Sequence, residues 1–307
     1  TVAFRGTADF NVTAGGQVDI QAEAALGGST GADGSMLVSG VNGTMPSTVD
    51  VTGPAARIRV GISGAGSLTV ENGGQVHSAG YVSVGEFGTG DGTITIGGHS
   101  GGFDAGLTAD GNLYVGGGTT GAGGSGVINV NDDGYLFVSE LTVYAGGEMH
   151  VDGGGTVTST STAVVNGGLA TVSGRDAQGN PSTWGSLASL TIGTISTGSL
   201  QVTGGGIVSS LSGVVGSLGG SDGTVTVSGA DGFGNASRWS IGPGALVVGY
   251  SGSGSLDILP AGEVTSSLAF IGVGSGSSGS VTVSGDDSRW HNTGNAAIGR
   301  GGAGDTG

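Results

Sequence analysis

Cysteine and lysine are both missing from this chain of 307 residues. Without cysteine there are no disulfides and no thiolate metal sites, so stability must come from packing and backbone hydrogen bonds. Without lysine, seven arginines face 23 carboxylates and the formal net charge is −16. A phosphate backbone would repel such a chain, which excludes nucleic acid as a partner, and anionic membrane surfaces are disfavoured for the same reason. A phosphate-cradling loop also lacks its lysine. No apolar run approaches the roughly 20 residues of a membrane span, and Thr1-Val2-Ala3-Phe4 has neither the basic nor the apolar region of a signal peptide. Proline is scarce at five residues, and the 74 glycines follow no collagen triplet. The longest stretches free of both are Tyr135 to Ala145 and Thr156 to Asn166, short and rich in Val, Thr and Ser, which leaves no room for packed helices.

Between the glycines lie short apolar–polar alternations: Leu68-Thr69-Val70, Ile94-Thr95-Ile96, Val225-Thr226-Val227 and Val281-Thr282-Val283. This is the period of strands with one buried face, and with 36% hydrophobic residues recurring in register it argues for an all-β fold over disorder. A longer pattern overlies it. Thr-Val-Ser-Gly-x-Asp followed by Ser-x-Trp begins at Thr171, Thr226 and Thr282, a nearly constant period of about 55 residues. A second phrase, Gly-Ser-Leu-x-Val or a relative followed by a turn with paired glycines, occurs from Gly66, Gly198 and Gly254, and the last two stand one such period apart. Weaker copies run back to Asp9-Phe10-Asn11-Val12. The chain therefore reads as degenerate repeats of about 55 residues over 1–307, a single continuous solenoid, more drifted in 1–166 and clearer in 167–307.

Each repeat holds about six short strands with glycine at the corners. Antiparallel hairpins in a propeller or sandwich are one arrangement. A parallel β-helix is favoured, because a period of about 55 residues fits two to three turns and two-residue hairpin turns are scarce. About 11 to 16 rungs at about 4.8 Å would give a rod about 50 to 80 Å long, with Val, Ile and Leu stacked inward and Ser, Thr, Asn and Gln outward.

Chemical candidates are few. Trp184, Trp239 and Trp290 recur with the repeat, so each is expected to fill a gap in every unit, with an adhesive aromatic platform as the alternative. Asp176, Asp231 and Asp287 are expected to bond their own turns; calcium at Asp132-Asp133 or Asp286-Asp287 is the alternative. Arg238 and Arg289 precede their tryptophans where Thr183 stands in the first copy, and are expected to pair with carboxylates. Gly-x-Ser-x-Gly at Ser29, Ser100 and Ser221 matches chance frequency in so glycine-rich a chain and opens no helix. His77, His99, His150 and His291 lack zinc spacing and are expected to be solvated. Arg57 and Arg59 form the one close basic pair, with no acid nearer in sequence than Asp50, so an unrepeated lyase or hydrolase site is not evident. The sequence points to no catalytic, cofactor-binding or metal residue.

Gly-Ser-Leu-x-Val, the paired-glycine turn, Val84-Gly85, Ile192-Gly193 and Ile271-Gly272, and Thr-Val-Ser-Gly through Ser-x-Trp together resemble the passenger region of bacterial autotransporters. The resemblance covers nearly the whole chain and is strongest after Gly167. It implies a right-handed parallel β-helix, a piece of a longer polypeptide secreted through and anchored by an outer-membrane barrel. It also implies an adhesin, not an enzyme, with no cofactor, whose partners are host surface or matrix proteins, glycans, or its own kind on adjacent cells. A stalk carrying a distal functional tip is the alternative, and a polysaccharide-acting β-helix enzyme a more distant one.

Overall fold

A computed structural model describes Ala3 and residues 5–299; Thr1, Val2, Phe4 and residues 300–307 lie outside the described residues. Every regular element among the described residues is a strand. The chain forms two compact units, Thr1–Thr158 and Ser159–Gly307.

In each unit the chain coils so that the strands forming its turns lie parallel to their copies one turn later. One turn, or rung, of the N-terminal unit runs Ala65–Glu71, Gln75–Ser78, Tyr81–Val84; one of the C-terminal unit runs Asp222–Ser228, Ser237–Ile241, Ala245–Val248. The three strands of a rung belong to three faces, called here the first, second and third sheets. The first sheet contributes six strands to the N-terminal unit and five to the C-terminal one. Each unit is thus a parallel β-helix, as the repeats predict. The strands between Asp222 and Ile271 make two rungs, so one sequence repeat is two turns of the coil.

Burial alternates strictly along the strands: Ala65–Glu71, Ser125–Asn131 and Asp222–Ser228 each bury every second residue. The inward residues stack in columns. Met36, Leu68, Ile94 and Ile128 form one, and Leu200, Val225 and Leu256 another, all almost wholly buried. Removing each such side chain from water stabilises by about 1.5–3 kcal/mol, and the rungs hold together through this burial and the ladder hydrogen bonds.

Rungs alternate in length. The steps from Thr7 to its partner Asp33 and from Ala65 to Asp91 are short, about 26 residues, and those from Asp33 to Ala65 and from Asp91 to Ser125 are longer, about 33 residues. In the C-terminal unit Thr197 to Asp222 and Ser253 to Ser278 are the short steps and Asp222 to Ser253 is a long one. The long rungs carry a projecting hairpin directly after the first-sheet strand, in which Val41 pairs with Pro46, His99 with Asp104, Arg175 with Pro181 and Ala230 with Ala236, and the rung from Asp91 adds a second after its third-sheet strand, in which Gly117 pairs with Ala122. The coil is therefore parallel and the excursions antiparallel, a combination that the sequence reading set against each other as alternatives.

The corner glycines serve close approach. Gly85, at φ +69°, closes the third sheet, and a Cβ on it would stand 2.0 Å from the carbonyl oxygen of Ser125, at the start of the rung after next. Only glycine combines that left-handed backbone with that contact, which explains the recurring Val-Gly and Ile-Gly.

Candidate functional site

The two sequence phrases interleave because they touch. Each hairpin is closed at its base by a backbone hydrogen bond, from Ser47 N–H to Gly40 C=O (2.9 Å), Ala105 to Gly98 (2.9 Å), Ser182 to Gly174 (3.0 Å) and Ser237 to Gly229 (2.9 Å). The hairpin then leans on the paired-glycine turn of the preceding rung: a Cβ on Gly205 would lie 2.8 Å from Cβ of Asp231. Ser237, the serine of Ser-x-Trp, is buried and joins both parts. Its hydroxyl donates to the carbonyl of Gly229 (2.8 Å) and accepts from the N–H of Gly205 (3.0 Å). Ser47 repeats this with Ser39 (2.7 Å) and Gly15 (3.0 Å).

Asp176 and Asp231 shape the hairpins themselves, as expected of turn aspartates. Asp231 accepts from the backbone N–H of Phe233 (2.8 Å) and of Asn235 (2.8 Å) and from the Asn235 side chain (2.9 Å). Asp176 accepts from Asn180 in the same way. Arg175 pairs with Asp231, linking two successive hairpins. Desolvation pushes the Asp231 carboxyl up, but the bonds from Asn235 and Phe233 and the charge of Arg175 outweigh it and hold the carboxyl at about 2. The loop so fixed presents Phe233 at its tip, 77% exposed. Asp287 has no such hairpin; it occupies a shortened turn at φ +58°, so the third copy of the phrase keeps the letters without the loop.

The tryptophans face inward. Trp184 and Trp239 are buried, and the column Trp184, Val208, Trp239, Val264, Trp290 alternates indole with valine from rung to rung. The indole N–H of Trp239 donates to Ser210 Oγ (3.2 Å) and that of Trp290 to Ser266 Oγ (3.1 Å). Room for the ring comes from Gly213 on the third sheet, where a Cβ would stand 2.6 Å from Cζ2 of Trp239. Trp184 and Trp239 are therefore packing residues and offer no platform.

What sequence order hid is the outer third-sheet face of the N-terminal unit. Glu23, Arg57 and Tyr81 are successive partners in one outward column and Arg59, Ser83 and Tyr114 in the next. Arg57 pairs with Glu23 (2.7 Å); Arg59 bridges Glu23 (3.0 Å) and Glu86, and its guanidinium lies 5.7 Å from the ring centroid of Phe87. Beside this network three tyrosines climb the face diagonally. Tyr81 meets Tyr114 edge-on at 6.2 Å, and Tyr114 stacks with Tyr144 at 6.3 Å. The side-chain amide of Asn112 joins the row to Glu140 by donating to Tyr114 Oη (3.1 Å) and to Glu140 (2.9 Å).

Arg57 and Arg59, with no acid nearer in sequence than Asp50, meet Glu23 and Glu86 from other turns, yet the cluster is not arranged for acid catalysis. Burial raises the Glu23 pKa, and the bonds and charges of Arg57 and Arg59 outweigh this and hold it below the ordinary carboxylate value. Glycoside hydrolysis needs one carboxyl held protonated, the reverse of this setting. The histidines stand at the surface, as expected, and three of them have carboxylate neighbours that the sequence did not foretell. His77 lies between Asp50 (2.7 Å) and Asp110 (3.5 Å), His99 beside Asp104 (2.6 Å) and His150 beside Glu148 (3.1 Å), so these three face carboxylates across or within rungs. Burial lowers the His77 pKa, but the bonds to Asp50 and Asp110 more than reverse it. Among the described residues no group of three or more His, Asp or Glu is placed to hold a metal ion. Asp132 and Asp133 take left-handed backbone, at φ +45° and +63°, in the position that the paired glycines fill elsewhere. Ser221 donates to Leu218 C=O (2.7 Å), a turn contact, and no helix follows it. Arg238 pairs with Glu263 (2.8 Å), as expected.

No family model matches the chain, and no curated protein matches it. Among solved structures the chain is similar to the crystal structure of a TibC-catalysed hyper-glycosylated fragment of TibA, at 18% identity over 94% of this chain and 91% of that one, with a TM-score of 0.27. No helix among the described residues is long and apolar enough to cross a membrane.

Proposed function

We propose that this chain is an adhesive segment, displayed at or secreted from a bacterial surface as part of an autotransporter-like passenger, that attaches to host surface or matrix proteins or to glycans. The observation that carries the reading is the tyrosine row beside the Glu23–Arg57–Arg59–Glu86 network, a fixed array of ring faces, hydroxyls and charges on a regular sheet. Tyrosine combines apolar contact with a polar tip, and groups locked by their neighbours bind at little ordering cost. Around it the rungs repeat outward Ser, Thr and Asn at one fixed spacing, so many weak contacts sum when the molecule is displayed in many copies. The carboxylates are neutralised in pairs, which supports a binding role over polysaccharide cleavage.

The test is binding of bead-displayed protein to arrayed glycans and matrix proteins, with Tyr81→Ala/Tyr114→Ala/Tyr144→Ala as the comparison. Capture by at least one class of ligand that falls about tenfold or more in the triple variant supports the reading. Release of oligosaccharides from acidic polysaccharide would show an enzyme. Absence of any capture by a correctly folded protein would leave a spacer that carries function elsewhere.

A further inference from the structure

The third sheet has opposite characters in the two units. In the N-terminal unit its outer face carries Glu23, Arg57 and Arg59, with Glu86 and Glu140 at its margins. In the C-terminal unit the outward column reads Val164, Thr191, Val214, Val247, Phe270, Ala297, each in register with the next. Along one margin stand Leu187, Leu211 and Leu268, at 58%, 49% and 36% exposure; along the other stand Ile195, Leu218 and Tyr250, at 68%, 46% and 49%. No Asp, Glu, Arg or His occurs in these strands or in the turns 193–196, 216–221, 242–244, 249–252 and 272–277 that border them; Arg300, after the last strand, lies outside the described residues. A chain of net charge −16 thus has one face that carries no charge among the described residues and that holds the exposed leucines Leu187, Leu211, Leu218 and Leu268.

We infer that this face is a self-association surface, on which a second copy of the chain packs third sheet against third sheet about a two-fold axis. An apolar patch of this extent is at the upper end of what monomers expose, is often functional, and is stabilised by leaving water. The charge distribution selects the occupant. Two copies meeting here turn their carboxylates away from each other, whereas contact on other faces brings like charges together. A basic partner would be drawn to the acidic faces instead. Identical sheets also share one rung spacing, about 4.8 Å, so side-chain columns of one copy fit between those of the other. Six strands of three or four residues, with the apolar margins on either side, give roughly 500 Å² per copy, at the low end for a specific interface, so the dimer is weak and concentration-dependent. Salt, by screening the remaining repulsion, tightens it.

Sedimentation equilibrium of the full chain over a range of concentration and sodium chloride tests this. A monomer–dimer equilibrium that tightens as salt rises is expected, and Val247→Glu with Leu211→Glu weakens it about tenfold or more while circular dichroism and thermal unfolding stay as in the parent. If that pair unfolds the protein, Leu187→Glu, at an exposed margin position, replaces it with the same expectation. Because the chain has no cysteine, Val247→Cys gives a second readout. It should form an intermolecular disulfide on mild oxidation, while Thr95→Cys on the N-terminal unit's first sheet should not. Monomer at every concentration, a dimer insensitive to the folded glutamate variants, or a monomer that binds neutral phospholipid vesicles through this face would overturn the inference. None of these outcomes depends on ligand capture by the tyrosine row, so the two readings fail separately.

Discussion

Gly205 donates its backbone N–H to the hydroxyl of Ser237, 32 residues further along the chain, at 3.0 Å. Gly15 and Ser47, also 32 apart, repeat the bond at 3.0 Å in the other unit. One buried hydroxyl thereby ties a short rung to the hairpin of the next long rung.

Replacing Ser237 with alanine leaves the Gly205 N–H and one acceptor site of Gly229 unpaired in a buried place. The expected cost is about 1–3 kcal/mol. Urea unfolding should show a lower midpoint with an unchanged slope, and Ser288→Ala, at an exposed turn whose hydroxyl bonds only Gly285, should cost markedly less.

Gly213→Ala places a methyl against the Trp239 ring. Overpacking of about 1–3 kcal/mol is expected, together with a shift in tryptophan emission. The same substitution in a Trp239→Leu background should cost less, and that coupling, read from a double-mutant cycle, checks that the indole is what the glycine makes room for.

The Asp231 carboxyl titrates at about 2 in the folded protein against 3.8 for the unperturbed side chain. A depressed folded value contributes stability that is present above the unfolded pKa and is lost as pH falls. Acid titration of stability should therefore show a loss between about pH 4 and pH 2 that Asp231→Asn removes.

His77 has the opposite sign. Its pKa is raised above 6.5 by Asp50 and Asp110, so its contribution is complete below that value and fades as pH rises through the folded pKa. Histidine ring resonances should place His77 above 6.5, and Asp50→Asn should bring it down.

Much of the fold was legible because its causes are local and repeated. Alternation such as Ile94-Thr95-Ile96 fixes an inward and an outward face, and a period shared by two phrases fixes the stacking of turns. The inward role of Trp239 follows from its recurrence. The hairpins were not legible, since Gly229 to Ser237 reads as one polar turn and its antiparallel closure depends on bonds to the preceding rung. Nor was the candidate site. Glu23, Arg57 and Glu86 each stand about one rung apart in the sequence, and only the length of a rung brings them to one face. Residues that meet across rungs are predictable only once every rung length is known, and hairpins change those lengths without changing the phrases.

The register of the rungs is what brings the tyrosine row, the Glu–Arg network and the apolar face together. The absence of native cysteine makes that register directly measurable by disulfide trapping, because in-register outward neighbours on parallel strands fall within disulfide reach. Thr69→Cys/Thr95→Cys and Gln201→Cys/Thr226→Cys, each a pair of direct partners, should cross-link rapidly and nearly completely within one molecule. Thr69→Cys/Thr93→Cys, displaced by two positions, should not. Efficient bonding of the displaced pair, or none in the matched pairs, would contradict the account.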